Sequence, residues 1–275
     1  MERIAFYGKG GIGKSTIAAG VSLALAKRGK RVLHVGCDPK HDSSMTLVPG
    51  GHISTTVIDQ VFSQPAGALK REHFIMPGKE GIDCIESGGP QSGVGCGGRA
   101  VSRMFEIFEE LGIIDEKRYD VAIFDVLGDV VCGGFAAPLR SWIAPKVAIV
   151  VSEEMMAAYA ANNITRAVLH YLDNGVSLAG LVVNLRDNRA DLGCIEKLAT
   201  ALGTRVLAII PRTPQIQKAE LQSKSILETS PNTKAAREIR TLAETLLFLK
   251  SSTCSPPTPL ELEDVRRILQ SRFTS

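Results

Sequence analysis

Gly8-Lys9-Gly10-Gly11-Ile12-Gly13-Lys14-Ser15 fits the pattern G-x-x-x-x-G-K-S/T at every position. Glycines at this spacing let backbone N–H groups close around phosphate oxygens. A helix starting at the end of such a loop points its positive pole at the same charge. The lysine of the pattern, Lys14, then reaches the β- and γ-phosphates, and the Ser15 hydroxyl can bind Mg²⁺. Thr16 completes the loop's turn into the helix and is counted with it.

Two acidic stretches stand where a phosphate-handling site needs them. Gly36-Cys37-Asp38-Pro39-Lys40-His41-Asp42 leaves the second expected strand, and Asp125-Val126-Leu127-Gly128-Asp129 leaves the third. Carboxylates at strand C-termini can hold Mg²⁺ or orient a water for attack on a terminal phosphate. Any one of them alone is equally an ordinary turn or cap residue.

The third chemical feature is a pair of cysteines. Cys96 lies in Gly93-Val94-Gly95-Cys96-Gly97-Gly98-Arg99, and Cys132 in Val130-Val131-Cys132-Gly133-Gly134. Thiolates suit iron–sulfur clusters, and neighbouring glycines permit close backbone approach. A cubane cluster takes four thiolates, so one chain supplies half a site and a symmetric dimer could supply the whole. Spacing alone leaves this open, because unpaired cysteines in such proteins are more often inert. Cys37, Cys84, Cys194 and Cys254 keep that inert reading.

The elements that must position these residues alternate. Short β-branched runs at residues 4–7, 31–35, 121–124, 147–151, 178–183 and 206–209 read as strands buried on both faces. Helical patterns at 14–28, 102–111, 154–172 and 233–249 lie between them. In the first, Ile17, Val21 and Leu25 recur every four residues. Strand–helix alternation predicts an α/β fold with a mostly parallel sheet flanked by helices. Residues 1–250 are expected to form one ATPase domain. Residues 251–257 read as a linker, and 258–275 as a short helix packing on the domain or on a second subunit. Thr258-Pro259-Leu260-Glu261 has the form of a capping box, with Leu262, Val265 and Leu269 on one face of that helix.

The chain has 275 residues, 44% apolar and 22% charged, which is globular composition and excludes a mostly disordered chain. The net charge of +3 is dispersed and points to no nucleic-acid role. No apolar run is long enough to span a membrane, and a strand entering a glycine loop does not suit a signal peptide. A cytoplasmic protein is expected.

With these motifs in hand, the sequence resembles a known family. Residues 7–15, 36–40, Glu86-Ser87-Gly88-Gly89-Pro90, 93–99 and 125–135 together resemble the nitrogenase iron protein and the reductase subunits of dark-operative protochlorophyllide reductase. The likeness runs over roughly residues 3–270. It implies the deviant phosphate-loop ATPase fold of the MinD/ParA type, in which a lysine at the position of Lys9 reaches across a homodimer to the partner's nucleotide. It implies that Cys96 and Cys132 hold one 4Fe–4S cluster shared between two subunits. Gly8, Lys9, Gly10, Gly11, Ile12, Gly13, Lys14, Ser15 and Thr16 would bind ATP, with Asn184 at the adenine. Asp38, Lys40 and Asp42 would form a first switch and Asp125 and Asp129 a second, with Ser15, Asp42 and Asp125 serving Mg²⁺ directly or through water. Lys9, Asp38 and Asp129 would act in hydrolysis. Arg99 would dock a separate heteromeric catalytic component, and matches an arginine that is ADP-ribosylated in some members. A ferredoxin or flavodoxin would donate electrons.

Within the family the sequence is mixed. Residues 40–43 and 135–139 look more like the protochlorophyllide reductase branch, and Glu153-Glu154-Met155-Met156 more like nitrogenase. Residues 47–81 and Trp142 follow no assignable pattern. The mixture favours a nitrogenase-like relative, such as a methylthio-alkane reductase or nickel-tetrapyrrole reductive cyclase component, with nitrogenase and protochlorophyllide reductase as the remaining readings. Two other classes compete. A MinD/ParA-type positioning ATPase would have no use for the cysteine pair. An iron–sulfur scaffold ATPase would carry closely spaced cysteines, which this chain lacks.

Overall fold

The computed structural model describes residues 1–65, 67–90, 95–128, 136–139 and 143–271. Asp129 and Cys132 therefore lie outside the described residues, as do Gly93, Val94 and Trp142.

Among the described residues eight strands form one sheet. In chain order they are β1 (Glu2–Tyr7), β2 (Val32–Cys37), β3 (Met76–Pro77), β4 (Asp83–Glu86), β5 (Val121–Val126), β6 (Lys146–Val151), β7 (Ser177–Asn184) and β8 (Val206–Ile210). Their order across the sheet is β3-β4-β2-β5-β1-β6-β7-β8. Every pairing is parallel except β3 with β4. The helices are α1 (Lys14–Ala26), α2 (Val57–Ser63), α3 (Gly97–Glu110), α4 (Met155–His170), α5 (Gly193–Ala201), α6 (Pro214–Glu220), α7 (Ile226–Thr229), α8 (Lys234–Phe248) and α9 (Leu262–Gln270). The predicted α/β fold is the fold observed. β2, β5 and β6 are buried at every position, as strands covered on both faces must be. Among the described residues no helix is long and apolar enough to cross a membrane.

β1 sits in the middle, with β5 on one side and β6 on the other. The chain therefore reverses its direction of growth at β1, and the crevice at such a switch point is where α/β sheets bind ligands. Register does the finer positioning. Asp125 is aligned with Phe6 on one side and with Gly36 on the other. This puts its carboxylate beside the starts of both the phosphate loop and the Asp38 loop.

Several boundaries differ from expectation. β5 extends through Val126, so Asp125 lies within the strand and not beyond it. α3 begins at Gly97, five residues before the periodic run that suggested it, with Cys96 as its N-cap. β3, β4, α2, α5, α6 and α7 were not expected. β4 pairs with β2 along its whole length and so belongs to the sheet's interior despite having only four residues.

The capping box at Thr258 is not formed. α9 starts at Leu262, Glu261 makes no side-chain cap bond, and the Thr258 hydroxyl donates to Ala201 O at 2.6 Å. Its competitor is tertiary: Thr258 N also donates to Leu202 O at 2.9 Å, so the segment is tied to the end of α5 before the helix begins. Val265 and Leu269 are buried, whereas Leu262 remains 37% exposed and is not part of that face. α9 lies on α4 and α5 of its own chain. Asn162 accepts from Leu260 N and donates to Leu260 O, both at 2.8 Å.

Candidate functional site

α1 follows the phosphate loop with no linking residue, and its N-cap, Gly13, has φ 90°. A Cβ there would lie 2.4 Å from Asn184 Nδ2, so glycine is required both by backbone conformation and by the close approach of β7. No acidic residue stands in the first turn of α1. Within its own helix that turn thus meets no competing anion, and Glu220 of α6 is engaged by the Thr16 hydroxyl.

The cavity measures about 450 Å³. It gathers Lys9, Gly10, Gly11, Gly13, Lys14, Ser15 and Thr16 from the loop, Asp38, Lys40 and Asp42 from the segment after β2, and Asn184 from the end of β7. Those predicted positions therefore meet in one place. Gly8 is buried at the end of β1, and Ile12 is buried with its carbonyl accepting from Asn184 Nδ2 at 2.7 Å. Both shape the loop from behind.

Beneath the cavity Lys14 Nζ donates to Asp125 Oδ1 at 2.5 Å, and both side chains are buried. The other carboxylate oxygen accepts from the Ser43 hydroxyl at 2.6 Å. Burial opposes the charge on Asp125, but the Lys14 ammonium and the Ser15 and Ser43 hydroxyls outweigh it and hold the group below the usual carboxylate range. Asp38 behaves differently. It is half-buried, and desolvation raises its pKa although Lys40 N donates to Oδ1 at 2.9 Å.

Glu86 closes the back of this region. It ends β4, is fully buried, and accepts from Ser44 N at 2.6 Å. Burial pushes it up to about 8, partly offset by its bonds from Ser44 and reinforced by the charges of Asp125 and Asp42. Glu86 is therefore mainly protonated at neutral pH.

The far wall was not read from the sequence. Leu185, Arg186, Arg212, Ile216, Gln217 and Glu220 line it, from the ends of β7 and β8 and from α6. The Thr16 hydroxyl donates to Glu220 Oε1 at 2.5 Å, and Arg186 Nη2 donates to Gly11 O. One signal could have found this wall. Pro211-Arg212-Thr213-Pro214 follows the last strand at its C-terminal end, where loops of a parallel sheet meet ligands.

Cys96 is exposed at the N-terminus of α3, and Arg99 is exposed on the first turn. This helix touches the nucleotide side. A Cβ at Gly97 would lie 2.5 Å from Pro39 Cγ, so the residue beside Cys96 rests directly on the Asp38–Asp42 segment. Among the described residues no group of three or more His, Cys, Asp or Glu could hold a metal ion by itself. An exposed thiol at a helix N-terminus suits a cluster ligand that must be completed by other thiolates. Cys37, Cys84 and Cys194 are buried, and burial pushes the Cys37 thiol up strongly and Cys84 to about 12, unfavourable for thiolate ligation.

Fold and cavity together define a phosphate-loop nucleotide-binding protein of the MinD/ParA architecture. Two solved structures show the same fold. The cell division ATPase MinD of Pyrococcus furiosus matches with TM-score 0.70 and 22% identity, over 90% of this chain and 98% of that one. Cobyrinic acid a,c-diamide synthase of Mycobacterium smegmatis, with an ATP analogue and magnesium bound, matches with TM-score 0.68 and 21% identity, over 94% and 99%. More particularly, the chain belongs to the family of 4Fe-4S iron sulfur cluster binding proteins, NifH/frxC, whose model matches residues 2–274. The nitrogenase iron protein of Methanospirillum hungatei is 38% identical over 274 residues, 98% of this chain and 96% of that protein. The family read from the motifs is thus the family found.

Proposed function

We propose that this chain is the ATP-dependent reductase component of a nitrogenase-like two-component enzyme, a cytoplasmic homodimer serving a separate heteromeric catalytic component. The observation that carries the reading is the contact between the two sites. The Asp38–Asp42 wall of the nucleotide cavity bears, through Pro39, on the residue that follows Cys96. A nucleotide that moves this wall has a short mechanical path to the cysteine.

Cys96 and Cys132 of two subunits would hold a 4Fe–4S cluster, which supplies one-electron redox capacity when bound. The remaining roles belong to the chain itself. Phosphate in the cavity competes for the Lys14 ammonium, which otherwise pairs with Asp125. With that partner drawn away, one oxygen of Asp125 would be available, with Ser15 and Asp42, to hold Mg²⁺ directly or through water, while Ser43 keeps the other; one or two carboxylates and a hydroxyl fit the way Mg²⁺ is usually held. Asp38 and Asp129 orient the attacking water, and Lys9, at the cavity mouth, reaches the partner's nucleotide. Asn184 meets the adenine and Lys40 the phosphates. Arg99, exposed beside Cys96, docks the catalytic component and is a site for ADP-ribosylation. Hydrolysis reverses the switch, a population shift driven by contacts that differ between two states. Residues 1–250 carry this machinery, and 251–275 brace it. The mixed motifs favour a non-nitrogenase partner such as a methylthio-alkane reductase or a nickel-tetrapyrrole reductive cyclase. The electron donor is a ferredoxin or flavodoxin.

The test is anaerobic purification, iron and sulfide analysis, and EPR after dithionite with and without MgATP. A reduced-cluster signal perturbed by MgATP and lost in Cys96→Ser or Cys132→Ser is expected. A dimeric ATPase that takes up no iron, even after reconstitution, would overturn the reading in favour of a positioning ATPase.

A further inference from the structure

Set back from the cavity, a buried line of polar groups runs from α1 to Asp125. Ser22 on α1, His34 in β2 and Ser43 after β2 are all buried. Ser22 Oγ lies 2.8 Å from His34 Nδ1, His34 Nε2 lies 2.9 Å from Ser43 Oγ, and Ser43 donates to Asp125 Oδ2 at 2.6 Å. Donor capacity fixes the direction of every bond. Asp125, ionised beside Lys14, can only accept. Ser43 therefore commits its single hydrogen to Asp125 and must accept from His34 Nε2–H. The neutral ring then has a bare Nδ1, which accepts from the Ser22 hydroxyl. Burial, opposed by Asp125 and assisted by Lys14, pushes His34 down to about 4, which keeps the ring neutral near pH 7.

We propose that Ser22 and His34 are positioning residues that hold the Ser43 hydroxyl on Asp125 and thereby preset the Mg²⁺-binding geometry of Asp125 and of Asp42, the neighbour of Ser43. The reasoning rests on the nucleotide reading of the cavity. A serine hydroxyl rotates freely unless something fixes it. Here the fixing group is an imidazole with both nitrogens engaged, on a strand buried on every side. Without it, Ser43 can turn from Asp125, and the ordering of residues 42–43 must happen when the ion binds. The relay also joins α1, which carries the phosphate loop, to the loop that senses the terminal phosphate. Lys14 and Ser43 grip the two oxygens of one carboxylate from these two elements.

The test uses the full-length protein and binding, not turnover. A fluorescent ATP analogue is titrated at increasing Mg²⁺, with thermal unfolding recorded for each variant. His34→Leu keeps apolar bulk and removes both bonds. His34→Gln keeps an acceptor for Ser22 and a donor for Ser43. We expect His34→Leu to raise the half-saturating Mg²⁺ about tenfold, the weight of one ordinary hydrogen bond, and His34→Gln to stay within about threefold of the parent. Ser22→Ala should shift the same way by less. An unchanged Mg²⁺ response in folded His34→Leu overturns the proposal, as does equal impairment by leucine and glutamine, which would mean packing alone. Should His34→Leu not fold, Ser22→Ala decides: a shifted Mg²⁺ response supports the relay, an unchanged one overturns it. If the parent protein binds no nucleotide at any Mg²⁺ concentration, the cavity reading itself fails, a result distinct from any difference among variants.

Discussion

The two ends of the nucleotide cavity are built in opposite ways. The phosphate end is contiguous in sequence, residues 8–16, and is anchored by the buried Lys14–Asp125 pair. The far end, proposed to take the base, is assembled from the ends of β7 and β8 and from α6, and is tied to the loop by separate bonds, Asn184 to Ile12 O, Arg186 to Gly11 O and Thr16 to Glu220. Recognition of phosphate charge needs donors held rigidly and out of water, where each interaction is strong. Recognition of a flat base needs shape and a few polar groups, and tolerates a looser mount. Damage at the phosphate end should therefore reach stability as well as binding, whereas damage at the base end should reach binding first.

The largest effect is expected from Lys14→Met. It leaves Asp125 buried beside hydroxyls without its cation, and breaking a buried pair from one side costs about 3–5 kcal/mol. Denaturant midpoints of Lys14→Met against the double variant with Asp125→Asn measure it. The double variant should recover much of the stability and none of the nucleotide binding. Stability retained in Lys14→Met would break the contrast between the two ends.

Next comes a pH effect at Glu86, behind the same end. Its folded value of about 8 lies above the ordinary 4.5, so the folded state keeps a proton that the unfolded chain gives up. The stability linked to that group is full below about 4.5 and is lost as pH rises through 8. His34 acts with the opposite sign: its folded value of about 4 lies below the ordinary 6.5, so its contribution is full above 6.5 and is lost as pH falls toward 4. Between 6.5 and 8 only the Glu86 slope should remain. Urea midpoints across that range should fall in the parent protein and flatten in Glu86→Gln.

Gly13→Ala tests the joint between the ends. A residue held at φ 90° with its Cβ crowding Asn184 should cost about 1–3 kcal/mol and weaken ATP binding at least as much as loss of Asn184. Asn184→Ala removes one bond to the loop, for about 1 kcal/mol, and should reduce discrimination between ATP and GTP more than stability. The smallest change is expected from Thr16→Val. Its bond to Glu220 is solvent-exposed, so calorimetric ATP affinity should shift by less than about 1 kcal/mol.

The same division explains what could be read before the fold was seen. The loop from Gly8 to Ser15 was legible because phosphate binding by backbone N–H groups needs adjacent residues. Helices α1, α4 and α8 were legible from apolar spacing, and all formed within two residues of expectation. β4 was missed because four residues carry no periodicity, and its identity as a strand depends on β2 beside it. α9 was expected too early because Thr258 found a tertiary partner in α5 before it could cap a helix. The far wall was missed because Gln217 and Glu220 look like any polar pair on a short helix until α6 is folded against the loop.

Sequence by itself determined the chemistry available: a phosphate loop with two lysines, carboxylates at strand ends, cysteines among glycines, and enough alternating apolar runs to force a parallel sheet. These are local properties, fixed by covalent spacing. Tertiary structure decided which of those groups meet. Strand order put Asp125 between β1 and β2, so that one carboxylate answers to both Lys14 and Ser43. It gave Glu86 a buried setting that favours its proton and His34 one that excludes it, and brought Pro39 against the residue beside Cys96. Those relations depend on desolvation and on contacts between segments distant along the chain, which no spacing within one segment encodes.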